Sequence, residues 1–307
     1  MRTTSSSQTR TAPLAQAALR IVQRDIEIAA DTLCVPQIDR IQLCQLRFPQ
    51  QDSSQGIKRL GVLAAHDWLV RRRIPYTQAG GSAPYCFTIG KQALGAVSDY
   101  VNLPLALLRQ RQAEDARLSF VTYPHRRLTA AVYVAFVRGC QREGFTLAWR
   151  SEAELRAMHQ TVSSNGKAVK VLPDGFCVLE NLPGGKRTAC FLEIQVASDP
   201  STWLKKAALY TKYWESGNYQ QAFGYHAFRV LGITTSELRA RHLHAAIASK
   251  QGDESMAGQR SRFWTSWADA LRADVWGEVW FRADRPADTT YSLVGTVRTT
   301  EKEDEQA

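Results

Sequence analysis

The sequence predicts two fold classes in series, a helical α+β front part followed by an α/β part. Three observations carry this. Apolar residues recur at helical spacing through the first 70 residues. Between residues 171 and 195 the pattern changes to two strand-like runs joined by a glycine turn. A charged stretch, RQRQAEDAR at 109–117, separates the two regimes and reads as a domain boundary.

Within the front part, Ile21, Ile26, Ile28, Ala29 and Leu33 mark one amphipathic helix. PQIDRIQLCQLRF repeats the spacing with Ile38, Ile41, Leu43 and Leu46 after Pro36 opens the turn. QQDSSQG at 50–56 reads as a polar loop. In GIKRLGVLAAHDWLV a third helix places Ile57, Leu60, Leu63, Ala64 and Trp68 on one face, with Lys58, Arg59 and His66 nearer the other. RRRIPYTQ, the turn AGGSAP and YCFTIG then alternate as a short hairpin, and KQALGAVSDYV is again helical. This order resembles a winged helix-turn-helix domain, whose third helix enters the major groove while the wing contacts flanking phosphates. Lys58, Arg59, Arg71, Arg72 and Arg73 stand against one acid, Asp67, in that span, and are the expected DNA-binding residues. The plainer alternative for the arginine triplet is a solvated charge run.

The second part opens with RRLTAAVYVAFVRGCQRE, a helix with Leu128, Val132, Phe136 and Val137 along one side. TLAW reads as a strand. SEAELRAM follows, with Ser151 and Glu154 spaced as a capping box, so Glu152 and Glu154 are read as helix-start charges rather than catalytic groups. GFCVLEN and TACFLEIQV have strand composition, with NLPGGKR as the turn between them. Alternation puts Glu193 and Gln195 on one face beside Asp174 of the neighbouring strand, with Ile194 pointing away. A carboxylate in the apolar run CFLEIQV costs several kcal/mol if buried without a partner, so either that face is open to solvent or it serves a site. Asp199 and Pro200 match a helix cap and first-turn proline, and the helix they open carries Lys205 and Lys206. Asp174 and Glu193 are therefore the expected ligands of Mg²⁺ or Mn²⁺, with Gln195, Lys205 and Lys206 completing the candidate catalytic set. The plainer readings are a turn aspartate, a solvent-facing edge glutamine and exposed helix lysines.

Pro173-Asp174 followed by Glu193-Ile194-Gln195 resembles the signature of the PD-(D/E)xK nuclease superfamily. Gln195 departs from it, since the usual pattern ends in lysine. The superfamily is known to relocate that lysine, so the resemblance implies that Lys205 or Lys206 substitutes. A more particular likeness spans about residues 15 to 295: the winged front, the helix from His125 through Val137, Trp149 to Glu152, the PDG at 173–175, the ExQ, and a helix ending Lys212-Tyr213. This is similar to the replication-relaxation family of plasmids and integrated mobile elements. The resemblance implies a PD-(D/E)xK-like α/β sandwich in which Asp174, Glu193 and a downstream lysine are the nuclease-like positions, with His125 at a matching position of undetermined role. YHAFRVLGITT and SELRARHLHAAIAS then supply a further strand and helix, the latter capped by Thr235 or Ser236.

The expected organisation is a flexible N-terminus at 1–14, a winged domain at 15–110, a linker at 111–117, a nuclease-like domain at 118–295 and an acidic tail at 296–307. Composition agrees with a globular chain, 44% apolar and 22% charged. A formal charge of +10, from 39 basic and 29 acidic residues, favours a polyanionic partner. Double-stranded DNA is the expected partner. Replication or transfer proteins, and a second copy of the chain, are further candidates. No apolar run is long enough to span a bilayer and the first residues lack a secretory pattern, so a cytoplasmic location without membrane contact is expected. Six scattered cysteines without a CxxC read as buried hydrophobes, and histidines 125, 226, 242 and 244 suggest no metal. Clustered aromatics from Phe263 to Phe281 read as core or a closing flap rather than a base-stacking platform. Two functions remain in competition: a DNA-binding protein with a metal-dependent nicking domain, and a non-catalytic DNA-binding accessory or regulator. A regulator with a ligand-sensing domain would require a pocket in the second part, which the sequence does not reveal.

Overall fold

The computed structural model describes residues 19–48, 53–75, 85–164, 166–196, 199–249, 256 and 258–295. The expected flexible N-terminus, acidic tail and glycine-rich hairpin tip lie outside the described residues.

The front begins with α1 (Gln23–Cys34), which buries Ile28, Ala29 and Leu33. A two-residue strand, β1 (Ile38–Asp39), leads into α2 (Arg40–Arg47). The second helix thus starts at Arg40 and not at Pro36. Asp39 accepts from the Gln42 amide at 2.9 Å while Gln42 Oε1 accepts from the Asp39 amide at 3.0 Å, a reciprocal cap that outranks the proline signal. Next come α3 (Ser53–Ala65), β2 (Leu69–Arg73) and β3 (Tyr85–Ile89). α3 absorbs part of the expected polar loop. It also stops earlier than its apolar spacing suggests, because Asp67 adopts a left-handed backbone (φ 55°) and the Trp68 amide folds back onto Leu63 O. Leu69 and Val70 are strand in consequence. The three strands form an antiparallel sheet of order β1-β3-β2. Ile41 and Ile57, expected on buried faces, are exposed.

α4 (Leu94–Val101), α5 (Leu105–Ala116) and α6 (Tyr123–Glu143) follow. The charged stretch expected as a linker is mostly the last turns of α5, where Arg111 is buried against Ser151 and Glu154. α6 serves two cores. Ala130, Tyr133 and Val134 pack with the front helices, whereas Leu128, Val132, Phe136 and Cys140 pack on the large sheet behind.

That sheet has six strands in the order β11-β10-β9-β8-β7-β4. β4 (Thr146–Ser151), β7 (Gly175–Leu182) and β8 (Lys186–Gln195) run antiparallel. α7 (Glu152–Ala157) and the small hairpin of β5 (Thr161–Ser164) and β6 (Lys167–Lys170) lie between β4 and β7 in sequence. β9 (Arg229–Thr234) pairs parallel to β8, and β10 (Phe263–Trp267) pairs parallel to β9. Parallel pairing needs crossover helices. α8 (Pro200–Ser216) and α9 (Asn218–Phe223) make the first, and α10 (Glu237–Ala248) makes the second. α11 (Ala268–Asp274) and the two-residue β11 (Phe281–Arg282) close the edge.

Strand alternation divides the sheet into two cores. Phe176, Val178, Phe191, Val230 and Phe263 face α8 and α10. Cys177, Leu179, Leu192, Ile194, Leu231 and Trp264 face α6 and α11. The late aromatics Phe263, Trp264, Trp276, Trp280 and Phe281 are all buried core. Among the described residues, no helix is long and apolar enough to cross a membrane.

Candidate functional site

Glu193 occupies the α8-facing side of β8, in register with Gly232 of β9. It is 1% exposed, so the solvent-open alternative for this face does not hold. A Cβ on Gly232 would meet the Trp203 ring at 2.9 Å; glycine there lets Trp203 of α8 close down on the sheet beside the carboxylate. The helix that shuts out water also supplies the partners. Lys206 Nζ contacts Glu193 Oε2, and Tyr210, one turn further along α8, donates its hydroxyl to Glu193 Oε1 at 2.6 Å.

Asp174 precedes β7, its amide bonded to Leu192 O at 2.9 Å. From there it meets groups from both helix layers. Oδ2 accepts from the Ile194 amide at 2.7 Å and lies 4.0 Å from Lys206 Nζ, while Oδ1 is 3.2 Å from Nε2 of His125 on α6. Two carboxylates, one ammonium and one imidazole thus share a site whose outer parts, Lys206 and His125, are each 31% exposed.

Electrostatics separate the two acids. Burial raises Glu193, and the neighbouring Asp174 charge adds to it, pushing its pKa up to about 7 despite Lys206 and Tyr210. Burial also opposes the Asp174 charge, but the His125 hydrogen bond, Lys206 and the Ile194 amide together outweigh it and hold that carboxyl below its usual range. For His125 and Lys206, burial works against the charged form and the facing carboxylates win, so both are held up. The site thus favours the charged form of Asp174 and the protonated form of Glu193.

Of the residues expected from sequence, Asp174, Glu193 and Lys206 converge. Lys205 is exposed and stays outside the cluster. Gln195 is 6% exposed on an interior strand, so it is not a solvent-facing edge residue, and it supplies no charge. His125 enters as a partner of Asp174, and Tyr210 is new. The i to i+4 spacing of Lys206 and Tyr210 on one helix face was the available signal for Tyr210. For His125 no local signal exists, because its partner is 49 residues away.

The expected DNA-binding residues divide as well. Arg59 is held by Asp25 of α1, with Nε to Oδ1 at 2.9 Å, and by Arg20 O at 2.7 Å. Arg72 donates to Leu118 O at 2.9 Å and lies over the Phe120 ring. Both guanidiniums serve packing. Lys58, Arg71 and Arg73 are exposed, Arg71 lying over the Tyr85 ring at 4.7 Å.

The donor set bears on the implied cation. Among the described residues, no group of three or more His, Cys, Asp or Glu side chains is placed to hold a metal ion. Mg²⁺ is commonly bound through one or two carboxylates with retained waters, so Asp174 and Glu193 fit it in type and number. Their convergence on the Lys206 ammonium, and the upward push that Asp174 exerts on Glu193, mark a pair that gains from added positive charge.

A mixed α/β protein with a partly buried acid–lysine–histidine cluster is the class that fold and site define. The family model described as replication-relaxation matches residues 34–227, well over half the chain, and the protein belongs to that family. The match is shorter than the span of 15 to 295 expected from sequence, and it covers Asp174, Glu193, Lys206 and His125. No curated protein and no solved structure matches the chain.

Proposed function

We propose that this is a DNA-binding protein of a plasmid or integrated mobile element, acting in replication or relaxation, whose sheet domain is a divalent-metal-dependent nicking or cleaving centre. The convergence of Asp174, Glu193 and Lys206 carries the reading. It is a PD-(D/E)xK-like arrangement in which the lysine comes from α8 while Gln195 stands at its usual strand position. Family membership supports a replication role.

The front element order, helix, short strand, two helices, then two strands in a sheet of order β1-β3-β2, supports reading this part as a winged helix. In this reading α3 enters the major groove with Lys58 outward, and Arg71 and Arg73 of β2 meet backbone phosphates. Asp174 and Glu193 would hold Mg²⁺ or Mn²⁺, and such an ion supplies a bound water of lowered pKa. Lys206 sets its ammonium against negative charge at the attacked phosphate. His125 holds Asp174 ionised through Oδ1, and Tyr210 fixes the orientation of Glu193 through Oε1.

A second reading rests on a specific observation. All four oxygens of the two carboxylates already meet donors from the chain, and Gln195 replaces the usual lysine. The cluster would then be a structural lock, and the protein a non-catalytic accessory or regulator. Incubating supercoiled plasmid with Mg²⁺ or Mn²⁺ separates them. Nicking by the wild type, absent from an Asp174→Ala, Glu193→Ala double variant, supports the catalytic reading. Salt-sensitive DNA retardation without cleavage in either metal supports the second.

A further inference from the structure

On the sheet face away from Glu193, a pocket of about 480 Å³ opens among the start of β9, β11 and the segment that follows it. That volume suits a small-molecule ligand. All its lining residues fall between 229 and 295, beyond the stretch matched by the family model. It is the kind of cavity that a ligand-responsive protein requires and that strand periodicity cannot reveal.

Two guanidiniums dominate it. Arg229 and Arg282 both lie over the buried Trp264 ring, at 4.8 and 5.2 Å from its centroid, and Arg282 also lies over Tyr291 at 5.4 Å. Arg282 is held side-on by Asp284, Nε to Oδ1 at 3.2 Å and Nη2 to Oδ2 at 2.9 Å, which leaves its Nη1 end for a further acceptor. Arg229 donates to the Leu293 carbonyl, and among the described residues no carboxylate lies within ion-pair distance of it. A half-buried cation held by a carbonyl and an indole face, beside a second cation on the same indole, has no anionic partner to offset its burial. Burial pushes the Arg229 pKa down against an opposing contribution from Cys190, and the Arg282 charge adds a smaller downward push. Glu278 also lines the pocket, without an ion pair to either arginine, and opposes an anion there.

We propose that this pocket binds a phosphate group of a nucleotide, with Arg229 as its main anchor and Arg282 as the second. Paired planar guanidinium forks match phosphate oxygens, and the cavity leaves room for a sugar or base beside them. Two sources supply this chemistry: a free mononucleotide, or the phosphorylated end of a DNA strand.

The test is calorimetric titration of the full chain at low salt with inorganic phosphate, a deoxynucleoside monophosphate, and a short single strand with and without a 5′ phosphate. Saturable binding of the mononucleotide, weakened at least about tenfold by Arg229→Gln and tightened by Glu278→Gln, is the expected result. Preference for the 5′-phosphorylated strand over both the mononucleotide and the unphosphorylated strand assigns the pocket to DNA ends, and the reverse order to free nucleotides. Glu278 is exposed, so its variant keeps the test valid if Arg229→Gln unfolds. Absence of binding to every phosphate probe, or binding that neither variant changes in a folded protein, overturns the proposal. None of these outcomes depends on whether the Asp174 cluster cuts DNA.

Discussion

Lys206 of α8 places its ammonium on the carboxylate of Glu193, supplying from a helix the cation that Gln195 on the strand does not. The two residues are therefore coupled in stability as well as in chemistry. Lys206→Met leaves a carboxylate that is 2% exposed in its side chain facing only Tyr210 and Asp174. Breaking a fully buried pair costs about 3–5 kcal/mol, and the partial exposure of the lysine end reduces this to about 2–3 kcal/mol. Urea unfolding should show that loss, and a Lys206→Met, Glu193→Gln double variant should recover much of it. A single variant as stable as the wild type would contradict the coupling.

Glu193 also sets a pH dependence. Its folded pKa is pushed up to about 7 from an ordinary 4.5, so the folded state binds that proton more tightly than the unfolded chain. The associated stabilisation is complete below pH 4.5 and is lost as pH rises through 7. Asp174, held low, acts oppositely, stabilising above its ordinary 3.8 and losing this as pH falls further. The stability of the wild type minus that of Glu193→Gln should fall between pH 4.5 and 7 and level off above. A flat difference would show that Glu193 titrates normally.

Neighbouring cations on α3 should behave in opposite ways. Arg59→Ala leaves Asp25, which is fully buried, with the Val22 amide but without its cation, and should cost about 2–3 kcal/mol by thermal or urea unfolding. Lys58→Ala, on an exposed position, should change stability by no more than about 0.5 kcal/mol while weakening DNA binding. Equal stability losses in the two variants would contradict this division.

If Lys58, Arg71 and Arg73 each meet a backbone phosphate, replacing all three by alanine should flatten the plot of log affinity against log salt. The slope should fall by about 2–3 units. An unchanged slope would move the DNA interface elsewhere on the protein.

Much of this architecture was legible because long amphipathic helices and alternating strands carry their own period. The hairpin of β7 and β8, with Glu193 buried amid CFLEIQV, announced itself by a charge where packing would exclude one. Other features depend on contacts that spacing does not encode. Asp39 displaced Pro36 as the start of α2 through its exchange with Gln42, and Asp67 ended α3 through a left-handed turn. Lys205 and Lys206 lie about 100° apart on a helix, so choosing between them required the phase of α8 against the sheet. Arg59 and Arg72 looked like phosphate contacts because the sequence does not show that Asp25 and Leu118 O take them.

The most direct test of the central claim is titration of the metal-free full chain with Mn²⁺, followed by calorimetry or electron paramagnetic resonance. The account predicts one bound ion per chain, lost in Asp174→Asn and in Glu193→Gln, with both variants still folded. No binding by the wild type, or binding that survives both substitutions, would contradict it and leave the cluster as a structural lock.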